Sequence, residues 1–212
     1  MSNKLVMSLV AIVVVAGCSG SSVTSSSATA SAATTAVASQ VPSSAVATPV
    51  PPTAAPTPTS FTSPLYAYSL TLPAGWYSGP AMLRWDGASA PGSDASEVDK
   101  LASPSQLSVF VYAAPVKSDL DRFVKQNIAW TVRDHGDTCP ARTPDKTEPV
   151  KISGQDGMLL SWDCGILINS ALVISHGTGY VFVMRDPAVH AATDVTDRAI
   201  LDGLLASVTL PR

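Results

Sequence analysis

Charged side chains are scarce in this sequence, and one long stretch has none at all. Asp, Glu, Lys and Arg make up 14% of the 212 residues, the formal net charge is −3, and residues 19–83 contain none of the four. A protein that binds nucleic acid needs a patch of Lys and Arg to neutralise phosphates. Because no such run is present, we expect no nucleic-acid partner.

Motifs that carry chemistry are also missing. The sequence has no Gly-x-Ser-x-Gly turn of a serine hydrolase, no closely spaced metal-ligand set and no Gly-rich phosphate loop. It therefore predicts no catalytic residues, no metal and no cofactor. The alternative is a secreted or anchored hydrolase with an unrecognised site near Ser175, His176 and Asp186, which supply the residue types of a triad without its motif.

What is present begins with a targeting segment. Lys4 precedes an apolar run over residues 5–16, which is shorter than the roughly 20 residues of a membrane-spanning helix. Ala16 and Gly17 then precede Cys18, with Val15 in a position where leucine is more frequent. This stretch resembles the bacterial lipoprotein signal, which implies that residues 1–17 are a signal peptide and that Cys18 carries lipid. Plain secretion is the alternative.

A diacylglyceryl group on Cys18 would supply two acyl chains, and stable membrane anchoring takes more than one. We therefore expect the protein on the extracytoplasmic face of the cell membrane, held there by its lipid. The membrane is then its first partner.

The two remaining cysteines, Cys139 and Cys164, suit a disulfide. Outside the cytoplasm disulfides persist, and this one would close a loop of about 25 residues, worth roughly 3.5 kcal/mol from chain entropy. Two free thiols, or a metal pair with a histidine, are the alternatives.

Residues 18–63 predict a tether. Ser, Thr, Ala, Val and Pro dominate this stretch, which cannot bury enough apolar area to offset the entropy of ordering. Its proline-rich second half favours extended polyproline II. The same composition is typical of O-glycosylated stalks, so a modified and an unmodified spacer both remain open.

The head, residues 64–212, begins with a strand. Apolar side chains alternate with small or polar ones over residues 66–72, the period of a half-buried strand. A short strand is expected at 82–86, and residues 107–113 predict a central strand because both of their faces are apolar. Later strands are expected at 150–153, 157–164, 166–175 and 180–185.

Two helices complete the head. Ser118 is expected to cap the first and Gly136 to end it, while Thr193 or Asp194 caps the second. Short turns between consecutive strands require antiparallel pairing. The order predicts an α+β fold, with two main helices packed on an antiparallel sheet of about six strands.

Four aromatic residues near the start of the head are candidates to line a binding site: Tyr66, Tyr68, Trp76 and Trp85. Core packing is the alternative for each of them. Nothing in their spacing specifies a ligand, so the ligand-binding residues stay unassigned.

Two short motifs carry a resemblance to a known fold. The stretch Tyr68-x-Leu-x-Leu-Pro-x-Gly-Trp76 and the terminal Ser207-Val-Thr-Leu210 resemble the PsbP-like fold, an α/β/α sandwich. With the lipoprotein signal and the tether, the chain is similar to the LpqN/LpqT group of actinobacterial lipoproteins. This resemblance implies a non-catalytic binding or assembly module of the cell envelope, with a protein, lipid or glycolipid partner. It brings no active site with it.

Overall fold

The computed structural model describes residues 55–92, 95–135, 143–163, 166–186 and 194–212. The predicted signal peptide, most of the tether, Cys18, Cys139 and Cys164 lie outside these residues, so the lipid anchor and the disulfide stay predictions. Gly136 and Thr193, the predicted helix stop and one of two predicted caps, also lie outside them. Within the described residues, no helix is both long enough and apolar enough to span a membrane.

The head is an α+β fold built on antiparallel sheets, as predicted. A hairpin of β1 (Thr59–Thr62) and β2 (Ser69–Leu72) forms one small sheet. The main sheet has seven strands rather than about six, in the order β3-β4-β5-β9-β8-β7-β6, and every neighbouring pair is antiparallel. Its strands are β3 (Tyr77–Gly79), β4 (Asp99–Ala102), β5 (Ser108–Pro115), β6 (Lys146–Ile152), β7 (Gln155–Asp163), β8 (Leu167–Ser175) and β9 (Thr178–Asp186).

The expected strand at 82–86 is wrong, because that segment is irregular. Two shorter strands, β3 and β4, stand at this end of the sheet instead. Both are too short to show an alternating pattern, so periodicity missed them. Strand β1 also begins before residue 64, so ordered structure starts within the predicted tether.

The two helices cover opposite faces of the main sheet. Helix α1 (Leu120–His135) lies on the face of Gly179, where Phe123 fills the space that a Cβ would take. The β1–β2 hairpin covers the other face, where Tyr68 contacts Phe182 with ring centroids 5.7 Å apart. Helix α2 (Asp194–Ser207) packs against that hairpin and β6. Because consecutive side chains of a strand point to opposite faces, positions 179 and 182 of β9 lie on opposite faces of the main sheet. Helix α1 therefore covers one face, and the hairpin with α2 covers the other.

Local signals explain most of these elements. Strand β5 is buried on both faces, as predicted for a central strand. Helix α1 is capped one residue later than expected, since the Asp119 carboxylate accepts a hydrogen bond from the Arg122 N–H at 2.9 Å. The turns between β6 and β7 and between β8 and β9 are shorter than the expected strand ranges imply. Ser153-Gly154 and His176-Gly177 are two-residue turns with positive φ at both positions, the conformation of a type I′ turn.

Candidate functional site

The structure separates the residues of the predicted hydrolase alternative. Ser175 pairs with Thr178 beside the β8–β9 turn, whereas Asp186 pairs with Leu167 at the far end of the same hairpin. Eight residues of extended strand between positions 178 and 186 span about 27 Å. A triad needs its three groups within hydrogen-bond reach, so Ser175, His176 and Asp186 do not form one. Among the described residues, no group of three His, Cys, Asp or Glu side chains could hold a metal ion.

The four aromatic candidates belong mainly to the core. Tyr66, Tyr68 and Trp85 are 4%, 0% and 5% exposed, and Trp76 is a half-buried residue packed against the same cluster. Trp85 lies between two other rings, with its centroid 4.7 Å from that of Tyr112 and 5.4 Å from that of Trp130. The core-packing alternative is therefore correct for these four side chains.

The cavity between the main sheet and α1 is small. It has a volume of about 20 Å³ and is lined by residues that include Phe110, Tyr112, Thr131, Ser170 and Arg185. That is room for about one water molecule. The cavity that the described residues form is therefore too small for a lipid chain.

Large apolar side chains are instead exposed along one edge of the sheet. Tyr77, Met82 and Leu83 are 59%, 76% and 57% exposed. Tyr77 belongs to β3, the edge strand of the main sheet, and the other two follow within four residues of the end of that strand. We call Tyr77, Met82 and Leu83 the edge surface.

Buried polar groups hold this segment in place. The Tyr66 hydroxyl accepts a hydrogen bond from the Trp85 N–H at 3.0 Å and donates to the carbonyl of Glu97. The Asp99 carboxylate, which is fully buried, accepts from the Ala81 N–H at 2.7 Å. Burial raises the pKa of Tyr66, with a further contribution from the negative charge of Asp99. These contacts fix the backbone on both sides of Met82 and Leu83.

The backbone of those two residues is itself anchored. The N–H groups of Met82 and Leu83 donate to the same carbonyl, that of Ser96, at 2.8 and 3.0 Å. With its backbone anchored, the segment loses little conformational entropy when a partner covers its side chains. Two of the four aromatic residues that the sequence singled out, Tyr66 and Trp85, thus help to support the edge surface.

The two edges of the main sheet differ in chemistry. Strand β6 carries Lys146, Pro149 and Lys151, the residue types that discourage another strand from pairing. Strand β3 is Tyr-Ser-Gly and carries no charge. Of the two edges, the one at β3 is therefore the more open to another protein.

Comparisons with known proteins find distant structural likeness. The solution structure of cyanobacterial PsbP from Synechocystis sp. PCC 6803 matches 77% of this chain and 98% of its own, with a TM-score of 0.49 and 15% identity. The crystal structure of the Ran-binding protein Mog1p from Saccharomyces cerevisiae matches 73% of this chain and 96% of its own, with a TM-score of 0.43 and 12% identity. No family model and no curated protein matches the chain. Likeness this distant carries no argument about function.

Proposed function

We propose that this protein is a lipid-anchored lipoprotein of the cell envelope whose head binds a partner protein through the edge surface. The observation that carries the proposal is the exposure of Tyr77, Met82 and Leu83 on an anchored segment beside an uncharged edge strand. Contiguous exposed apolar patches mark sites of protein contact, and these three side chains lie within seven residues of one another. The head acts as a binding module and has no catalytic role.

A protein partner fits the head better than a lipid or glycolipid held in the cavity between the main sheet and α1. Ligand pockets usually enclose about 300–1,000 Å³, whereas the cavity between the sheet and α1 holds about 20 Å³. The side chains beneath the sheet and the hairpin are close-packed, with Tyr68, Leu101, Phe182 and Leu201 almost fully buried. A partner therefore gains more by covering the edge surface than by entering the core.

Anchoring is the second part of the proposal. Lipid on Cys18 holds the chain at the extracytoplasmic face of the cell membrane, and the tether sets the reach of the head. The charge-free composition of residues 19–54 and the resemblance to LpqN/LpqT lipoproteins support this assignment. The family assignment rests on that sequence resemblance.

Site-specific crosslinking tests the edge surface. With a photo-crosslinking amino acid at Met82 in the full chain, irradiated cells should yield one discrete protein adduct. Val195 is the matched control, since it is 78% exposed and lies on α2. Adducts of equal intensity at both positions would contradict the proposal.

Affinity for the crosslinked partner then measures the contact. Met82→Ser combined with Leu83→Ser should weaken binding at least about tenfold, because buried apolar anchors dominate interface energy. Val195→Ser should change the affinity less than about twofold. If the double variant binds as tightly as the native chain, the edge surface is not the interface.

Fractionation tests the anchor separately. The native chain should partition into the detergent phase, and Cys18→Ala should move it to the aqueous phase and remove diacylglyceryl from the mass spectrum. Retention in the detergent phase of a Cys18→Ala chain whose residues 1–17 have been removed would refute lipid anchoring through this residue and leave the edge surface unaffected.

A further inference from the structure

A surface cleft of about 270 Å³ opens beside α1, and its lining includes none of the three residues of the edge surface. The lining comes from the connection between β5 and α1, from α1 itself and from the loop that begins at Trp85. Its lining residues are Trp85, Asp86, Gly87, Pro115, Val116, Lys117, Ser118, Arg122, Gln126 and Trp130. We call this the α1 cleft.

Two cations on the rim of the α1 cleft have no carboxylate partner among the described residues. Lys117 and Arg122 are both exposed, and neither side chain has an acidic oxygen within ion-pair distance there. Asp86 lines the same cleft, but its Oδ1 accepts a hydrogen bond from the Ala88 N–H at 2.8 Å. The lining of the cleft therefore carries two cations and one carboxylate, in a chain whose net charge is −3.

The floor of the cleft is rigid and offers one unused donor. Trp85 and Trp130 meet edge to face at 82° and are 5% and 6% exposed. The Trp85 indole N–H already donates to the carbonyl of Ser89 at 2.7 Å. The Trp130 indole N–H has no protein acceptor among the described residues. A ligand oxygen in the cleft would give this donor a partner.

The amino end of α1 is not itself the anion site. Asp119 already supplies a carboxylate there, which accepts from the Arg122 N–H. The charge for a ligand therefore has to come from the side chains of Lys117 and Arg122, whose Nζ and guanidinium groups donate in the geometry that carboxylates and phosphates accept.

We propose that the α1 cleft binds a small anionic ligand, a sugar-sized molecule that carries a phosphate or a carboxylate. Lys117 and Arg122 hold the anionic group, and Ser118, Gln126 and the Trp130 indole N–H contact the polar body. The volume of about 270 Å³ lies just below the range of drug-sized sites, so the ligand is smaller than those molecules. This site is distinct from the edge surface and goes beyond the proposed protein contact.

Titration with defined probes tests the site. The full chain, labelled with nitrogen-15, is titrated with glucose 6-phosphate, glucuronate, inorganic phosphate and glucose while the Trp130 indole resonance is followed. One of the two anionic sugars should shift that resonance in a saturable way, and neutral glucose should not. The preferred sugar distinguishes a phosphate from a carboxylate ligand. A response to inorganic phosphate as strong as to either sugar would contradict contacts to a sugar body.

Charge variants assign the contacts. Arg122→Gln and Lys117→Gln should each weaken binding about tenfold or more, since hydrogen bonds to charged groups are the strong ones. Lys125→Gln is the matched control, because Lys125 lies exposed on the same helix outside the cleft lining. It should change affinity less than about twofold.

Two outcomes would overturn the proposal. One is the absence of any Trp130 shift with either anionic sugar up to about 10 mM, a concentration at which even weak sites fill. The other is an equal loss in Lys125→Gln, which would indicate nonspecific charge attraction. Met82→Ser should leave the titration unchanged, so failure here is distinguishable from failure of the proposed protein contact.

Discussion

At the scale of single residues, the buried hydroxyl of Tyr66 connects the core to the edge surface. It accepts a hydrogen bond from the Trp85 N–H, two residues after Leu83, and donates to the carbonyl of Glu97, the residue after the Ser96 that holds Met82 and Leu83. A neighbouring carboxylate, that of Asp99, holds Ala81 in the same way. Tyr66, which the sequence pattern marks as an apolar strand residue, thus also positions the edge surface, because its buried hydroxyl needs hydrogen-bond partners.

Removing that hydroxyl should destabilise the head. Tyr66→Phe leaves the Trp85 N–H without its acceptor, so the free energy of unfolding should fall by about 1–3 kcal/mol in urea titrations. Tyr77→Phe is the matched control, since that side chain is 59% exposed, and should change it by less than about 0.5 kcal/mol. Equal effects in the two variants would show that the Tyr66 contacts contribute nothing.

Buried tyrosines also predict an alkaline limit. Burial raises the pKa of Tyr68 well above its usual value and that of Tyr112 to about 12. The folded-state pKa of each of these tyrosines lies above the unfolded value near 10. The stability that their burial contributes is therefore complete below pH 10 and is lost as pH rises through 12. Denaturant midpoints measured from pH 8 to 12 should therefore fall above pH 10. Tyr112→Phe should make the fall of the midpoint with pH less steep. An equally steep fall in this variant would contradict the assignment to Tyr112.

At the scale of elements, a glycine lets α1 approach the sheet. A Cβ at Gly179 would meet the Phe123 ring at 2.7 Å and Val116 at 2.9 Å. Gly179 is buried on β9, so the first turn of α1 packs directly onto the strand. Lys117 directly follows Val116 and Arg122 directly precedes Phe123, so the same contacts position both cations at the rim of the α1 cleft.

Gly179→Ala should therefore push α1 away and lower the free energy of unfolding by about 1–3 kcal/mol, the usual cost of overpacking. Gly203→Ala is the control, since Gly203 lies in α2 with nothing within 4 Å of its added Cβ. That change should stabilise the head by about 0.5–1 kcal/mol. Thermal or urea unfolding of both variants measures these changes in the free energy of unfolding. A Gly179→Ala chain more stable than the native one would contradict this packing.

At the scale of the whole molecule, the predicted disulfide remains the main covalent constraint to test. Described residues near the two cysteines meet, because Asp145 donates its N–H to the Ser161 carbonyl at 2.8 Å and accepts from the Asp163 N–H at 2.7 Å. Asp163 directly precedes Cys164, and Asp145 follows Cys139 by six residues. This proximity is compatible with a bridge.

Thiol titration of the unfolded, unreduced chain should find no free Cys139 or Cys164. Reduction should lower the free energy of unfolding by about 3.5 kcal/mol, the chain-entropy value for a loop of about 25 residues. The double variant Cys139→Ser, Cys164→Ser should show the same loss and no further effect of reductant. Two reactive thiols in the untreated chain would contradict the bridge.

The sequence alone determined the class of the head and the elements with strong periodicity. Residues 69–72 of the predicted strand 66–72, the doubly apolar β5 and the last three strands follow from burial patterns that any packed sheet imposes. Residues 66–68 belong instead to the connection between β1 and β2, where Ala67 has a φ of 59°. Only the tertiary structure decided which aromatic rings face inward, that β3 and β4 form an edge, and that Ser175 and Asp186 lie at opposite ends of one hairpin. These depend on contacts between distant parts of the chain, which no local pattern encodes. The edge surface and the α1 cleft both arise from such contacts.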